Sequence, residues 1–133
     1  MEFGAGIILI NNNNEVLLLL RDDKPEIPYP NQWDIPGGRI EDGETPDVTI
    51  RREMLEELGL ESLSDFRLFK IYTSDNLTDF IFWKRINLNP SEIILTEGQR
   101  LKYFSFDEIQ KTKLAFNYNK VIEEFFEEVI KNE

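Results

Sequence analysis

Between Gly38 and Leu60 the chain gathers acids into one stretch, GRIEDGETPDVTIRREMLEELGL, with Glu44 standing apart and Glu53, Glu56 and Glu57 close together. At about 100° per residue the last three share one helical face, and Val48, Leu55 and Leu58 on the opposite side are expected to bury. Carboxylates crowded on one turn repel one another, and a cation among them relieves that repulsion. Magnesium is the economical choice, because it takes oxygen ligands and completes its shell with water and substrate phosphates. Just upstream, Pro36-Gly37-Gly38 reads as a glycine turn that offers bare backbone groups at the same place. The chemistry in view is a magnesium ion held by carboxylates and presented to substrate phosphates.

Composition narrows the alternatives. The 133 residues include no histidine and no cysteine, which removes zinc sites of the HExxH type, Ser-His-Asp triads and thiol nucleophiles. Any metal is held by oxygen, so magnesium or manganese fits and zinc, copper or iron does not. Fifteen basic against 26 acidic residues give a net charge of −11. With no basic patch in view, that charge disfavours a nucleic acid polymer or an anionic membrane as partner. A small nucleotide stays admissible, since divalent ions reverse the local sign. No stretch approaches the roughly 20 apolar residues of a membrane span, and the N-terminus lacks a basic secretory start, so a soluble cytoplasmic protein is expected. The length suits one domain over 1–133, and nothing specifies an oligomeric state.

The elements that position the acids follow from local signals. Thr45 as N-cap, Pro46 at the first helical position and Asp47 near the positive end of the dipole start a helix that Gly59 stops. Phe3 to Ile10 and Glu15 to Leu20 read as a hairpin across the asparagines 11–14, apolar at consecutive positions and so buried on both faces. Pro25, Pro28 and Pro30 keep 22–32 as a loop, and Trp33-Asp34-Ile35 forms a short strand leading into the glycines. Phe66 to Ser74 and Asp79 to Leu88 form an antiparallel pair; Phe80 and Phe82 share one face, Ile81 and Trp83 the other, with Trp83 in the core. Thr96 to Gln99 is a loop before Leu101 to Phe104, Ser105 starts a helical turn, and an amphipathic helix runs from about Asn119 to Ile130.

The stretch 38–60 resembles the Nudix box, with its fixed positions filled by Gly38, Glu44, Arg52, Glu53, Met54, Glu56, Glu57, Gly59 and Leu60. A solvated acidic helix after a loop would explain the glutamates one by one, but neither Gly37-Gly38 nor the isolated Glu44. The resemblance implies an α/β/α sandwich around a mixed sheet. It also implies hydrolysis of a nucleoside diphosphate linked to another group, with Glu53, Glu56 and Glu57 as metal ligands and a carbonyl of Gly37 or Gly38 as a further one. Arg52 points off the acidic face and can fork onto Glu44 or Glu53, holding a carboxylate at the angle the metal needs.

Other roles rest on the MutT-like branch of the family. Glu97, in a Glu-Gly-Gln triplet similar to that branch's, is an extra ligand, the general base, or a solvated loop residue. Arg21 looks similar to an arginine that reaches substrate phosphate; otherwise it is a surface charge. That branch reads the base with an asparagine near the last helix; this chain offers Asn117 and Asn119 there, at a spacing that matches neither in full, and either can serve only as a helix cap. A nucleoside triphosphate is the expected substrate, with ADP-ribose or a nucleotide sugar as the alternative. From another class, a non-catalytic nucleotide-binding or interaction module remains open.

Overall fold

The computed structural model describes residues 1–133. Strand β1 (Glu2–Ile10) turns at the asparagines into β2 (Val16–Leu20). Asn11 builds the turn: its Oδ1 accepts from the amides of Asn13 and Glu15 at 3.0 and 2.9 Å, and Asn14 takes a left-handed conformation. The two strands pair only at Ile10 and Val16 and then diverge. The segment after the proline loop fills the gap, first as β3 (Trp33–Asp34) on β2 and then as β4 (Gly37–Arg39) on β1.

On its other side β1 pairs in parallel with β6 (Leu77–Arg85) along its whole length, and β5 (Arg67–Thr73) closes that edge antiparallel to β6. Strand β7 (Arg100–Phe104) lies antiparallel along the outer side of β2. The sheet is therefore mixed. Ile8, Ile10, Leu18 and Ile81 face a layer made by α2 (Phe106–Gln110) and α3 (Tyr118–Glu128), which contribute Ile109, Val121, Ile122 and Phe125. Ala5, Ile7, Leu9, Leu17 and Phe82 face α1 (Pro46–Leu58), which contributes Ile50, Met54 and Leu58. The result is the expected α/β/α sandwich, and the two faces of β6 divide as its alternation predicts. Trp83 packs edge-on against Phe125 at 5.4 Å.

Two expectations are corrected. Val48 and Leu55 are 43% and 52% exposed; the buried stripe of α1 is Ile50, Met54 and Leu58, spaced i, i+4, i+8. Glu53 and Glu57 border that stripe on the helical wheel, which draws them partly under cover, whereas Glu56 lies further round. Pro36-Gly37-Gly38, in turn, is not a turn: Gly37 and Gly38 are strand residues paired with Gly6 and Ala5. The glycines answer to close approach. A Cβ on Gly37, whose φ is +151°, would stand 2.2 Å from the Ala5 carbonyl oxygen, and one on Gly38 would stand 2.3 Å from Oε1 of Glu53.

Candidate active site

Glu53 and Glu57 reach from α1 into a cavity of about 350 Å3 where β1 and β2 have diverged. Gly37 and Gly38 line it, with Arg21 at the end of β2 and Glu97 facing from the loop before β7. Helix α1 is fixed at both ends. Pro46 follows the extended Thr45, whose hydroxyl donates to Asp47 at 2.6 Å instead of capping a backbone amide. Gly59, at φ +67°, returns the last amides to the carbonyls of Leu55 and Met54.

Arg52 braces the acids. Its Nε and Nη2 donate to the two carboxylate oxygens of Glu44 at 2.7 and 3.0 Å, and its Nη1 donates to Glu53 at 2.9 Å. The guanidinium thus forks onto Glu44 and holds Glu53 as well, which explains the isolated glutamate eight residues upstream. Glu44 also accepts from the Glu41 amide and the Thr49 hydroxyl, and the Arg52 fork holds its pKa down at about 2. Glu56 is 58% exposed, outside the cavity lining, with only a 3.3 Å contact to Arg52. The expected cluster of three carboxylates is accordingly not assembled, and no three acidic side chains converge on one metal-sized point. The pair facing the cavity is Glu53 and Glu57.

That pair is electrostatically strained. Burial, with the Glu53 carboxylate beside it, raises the pKa of Glu57 far above the ordinary carboxylate range, to about 9, against the pull of a Gly37 backbone hydrogen bond. Its Oε2 is buried without any hydrogen-bond partner. An orphaned acceptor beside a second carboxylate is what a divalent cation satisfies, and every donor atom here is oxygen. The residues present fit magnesium or manganese.

Glu97 reaches the cavity through its two neighbours. Gly98 presses so closely on β2 that a Cβ would meet Leu19 at 2.6 Å. The Gln99 amide donates to the Leu20 carbonyl at 2.8 Å, and its side chain bonds the Arg21 carbonyl and Asn31 at 2.8 and 2.9 Å. Glu97 itself is exposed and carries no ion pair. Arg21 donates to Asp34 at 3.0 Å and to the Pro28 carbonyl at 2.9 Å, while its Nη2 has no partner within the chain. Burial pushes Asp34 up to about 6 despite that arginine.

A second cavity of about 250 Å3 adjoins the first, sharing Arg21, Asp34, Ile35, Gly37 and Gly38 with it. Phe3, Asp79, Phe116 and Tyr118 complete its character. Sequence reasoning singled out none of these four for the site. Asp79, a charge opening the apolar run of β6, was the available signal. Of the two asparagines, Asn119 is withdrawn from base reading: its Nδ2 donates to the carbonyls of Ile109 and Thr112 at 3.0 and 2.7 Å, and its Oδ1 accepts from Leu114 at 2.9 Å. Asn117 is exposed, at φ +60°, and its side chain makes no cap.

Residues 2–125 match the NUDIX domain family. An RNA pyrophosphohydrolase from Sulfurovum sp. (strain NBC37-1) is 31% identical, over 74% of this chain and 76% of its own length. An 8-oxo-dGTP diphosphatase from Proteus vulgaris is 48% identical over 29 residues, which are 22% of this chain and 26% of that protein. The crystal structure of MutT protein from Methanosarcina mazei Go1 shares the fold, with a TM-score of 0.77 at 20% identity over 96% of this chain and 94% of that one. The chain belongs to the Nudix family, hydrolases of pyrophosphate linkages that need a divalent metal ion.

Proposed function

We propose that this chain is a magnesium-dependent pyrophosphohydrolase that cleaves a nucleoside triphosphate to monophosphate and pyrophosphate. The observation that carries the reading is the half-buried Glu53–Glu57 pair, with its orphaned Glu57 oxygen, opening on the cavity that Arg21 and Glu97 also line. Glu53 and Glu57 would hold the ion, and Glu97 stands opposite as a further ligand or as the proton acceptor. Bound there, magnesium supplies neutralisation of phosphate charge and a lowered pKa for a coordinated water.

The chain's own residues divide the remaining work. Arg52, anchored on Glu44, fixes the angle of Glu53, because a guanidinium gripping two carboxylates leaves neither free to rotate. Arg21 offers its free Nη2 to a phosphate oxygen while Asp34 holds the rest of the guanidinium. Phosphates occupy the first cavity, and the nucleoside occupies the aromatic one adjoining it.

A second reading is favoured by the Sulfurovum relative, which is named an RNA pyrophosphohydrolase. The same centre would act on the 5′-triphosphate end of RNA, with the polymer outside both cavities. Hydrolysis assays with magnesium across nucleoside triphosphates, ADP-ribose, nucleotide sugars and a 5′-triphosphorylated RNA oligomer separate the two. Preference for free triphosphates at all salt concentrations supports the first reading. Preference for RNA with a steep loss of rate as salt rises supports the second, and absence of turnover on every compound contradicts both.

A further inference from the structure

Asp79 is a half-buried carboxylate that pairs with no cation. Its Oδ2 accepts from the Tyr118 hydroxyl at 2.7 Å, and its Oδ1 has no hydrogen-bond partner. Oδ1 is also not sealed from solvent, so it opens on the second cavity. Gly4, across β1, leaves room there: a Cβ at that position would come within 3.2 Å of Oδ1. Buried charges are ordinarily paired, and an acceptor held by one tyrosine but otherwise unanswered marks a place for a ligand's donors.

Aromatic rings of Phe3, Phe116 and Tyr118 line the cavity around it. Phe116 and Asn117 both sit in the left-handed region, at φ 55° and 60°, a conformation that a bulky residue rarely takes. The consequence is that the Phe116 ring lies 5.2 Å from the Arg21 guanidinium and 4.5 Å from the Tyr29 ring. Aromatic and guanidinium planes are the surfaces on which unstacked bases lie, while their edges are read by hydrogen bonds.

We propose that Asp79, positioned by Tyr118, is the residue that reads the base, and that it selects a base edge carrying adjacent N–H donors. A carboxylate held as an acceptor by a donating hydroxyl can accept two such donors and offers none in return. Guanine's Watson–Crick edge supplies the N1 hydrogen and the 2-amino group side by side. Adenine and cytosine present one donor beside an acceptor, and uracil a donor between two carbonyls, so each sets a lone pair against the carboxylate. This assignment rests on the nucleotide reading above, but it is tested without turnover.

Equilibrium binding of GMP, AMP, CMP and UMP, measured by calorimetry with magnesium present, decides it. The parent chain is expected to hold GMP about 10- to 100-fold more tightly than the other three. Asp79→Asn, which keeps size but swaps one acceptor for a donor, removes that preference and strengthens AMP relative to GMP. Tyr118→Phe keeps the carboxylate, releases its clamp, and reduces the preference without reversing it. Thermal unfolding of both variants confirms that they are folded. Equal binding of all four nucleotides by the parent, or an unchanged GMP preference in folded Asp79→Asn, overturns the assignment. Loss of hydrolysis across the substrate panel, with GMP selectivity intact, would instead overturn the enzymatic reading alone.

Discussion

Replacing Gly38 by alanine would set a methyl group 2.3 Å from Oε1 of Glu53 and 2.5 Å from its carboxyl carbon. Contacts under 3.0 Å are essentially never made by real Cβ atoms, so the carboxylate has to withdraw. The retreat is about 1 Å, a misplacement of the size that costs on the order of 100-fold in rate at a catalytic group. The struck atoms belong to the Glu53 side chain and not to the backbone, so the carboxylate shifts against its Arg52 brace and the sheet has no reason to move. Gly37→Ala is the matched contrast: its Cβ would meet the Ala5 carbonyl oxygen at 2.2 Å and the Gly6 Cα at 2.7 Å, both backbone, at a φ of +151°. Strand β4 would have to leave β1, with destabilisation of about 3 kcal/mol or more and a fall in Tm on the order of 10 °C. Neighbouring, chemically identical changes therefore fail differently. The assay is kcat/KM on the preferred nucleotide, with magnesium, beside thermal unfolding of the same preparations. Parental kcat/KM in Gly38→Ala, or an activity loss no larger than its loss of folded protein, would refute the reasoning.

Other expectations follow from the same geometry. Arg52→Lys keeps the charge but cannot fork onto Glu44 while holding Glu53, so kcat should fall about 10- to 100-fold with KM little changed; parental kcat would show that the brace is dispensable. The folded pKa of Glu57 lies above its ordinary value of 4.5, at about 9, so its contribution to stability is complete below 4.5 and is lost as pH rises towards 9. In chelator, urea midpoints taken at about pH 6 and about pH 8.5 should show a smaller drop for Glu57→Gln than for the parent, and equal drops would contradict that. Asn119→Ala breaks three bonds to backbone groups between α2 and α3. It should lower stability by about 2–3 kcal/mol in urea unfolding while leaving kcat/KM per folded molecule unchanged.

Much of this arrangement is local enough to read in the chain. The Pro46 start and Gly59 stop of α1, the asparagine turn and the two faces of β6 each depend on a few neighbouring residues, and the structure places them as that chemistry predicts, although the Thr45 hydroxyl turns to Asp47 and caps no amide. The buried stripe of α1 is different. Val48, Ile50, Met54, Leu55 and Leu58 spread over about 160° of the helix, wider than the stripe that buries, and which of them bury depends on where β1 lies beneath it. Gly37 and Gly38 read locally as a turn, yet they are required by the approach of β1 and of Glu53, partners far away in the chain. Asp34, Asp79, Phe116 and Tyr118 share a cavity only because the sheet brings β3, β6 and the start of α3 together. A motif confined to 38–60 carries no information about that meeting. Asn119 shows the converse: its type and its place near the last helix suggest base recognition, and only its three backbone partners reveal a structural clamp.

The most direct test of the central claim is pyrophosphate release from nucleoside triphosphates by the parent chain, Glu53→Gln and Glu57→Gln, with magnesium and with chelator. The Glu53–Glu57 site predicts turnover by the parent that chelator abolishes, and a loss of more than about 100-fold in each folded variant. Parental turnover in both variants, or turnover that survives complete removal of divalent ions, would contradict it.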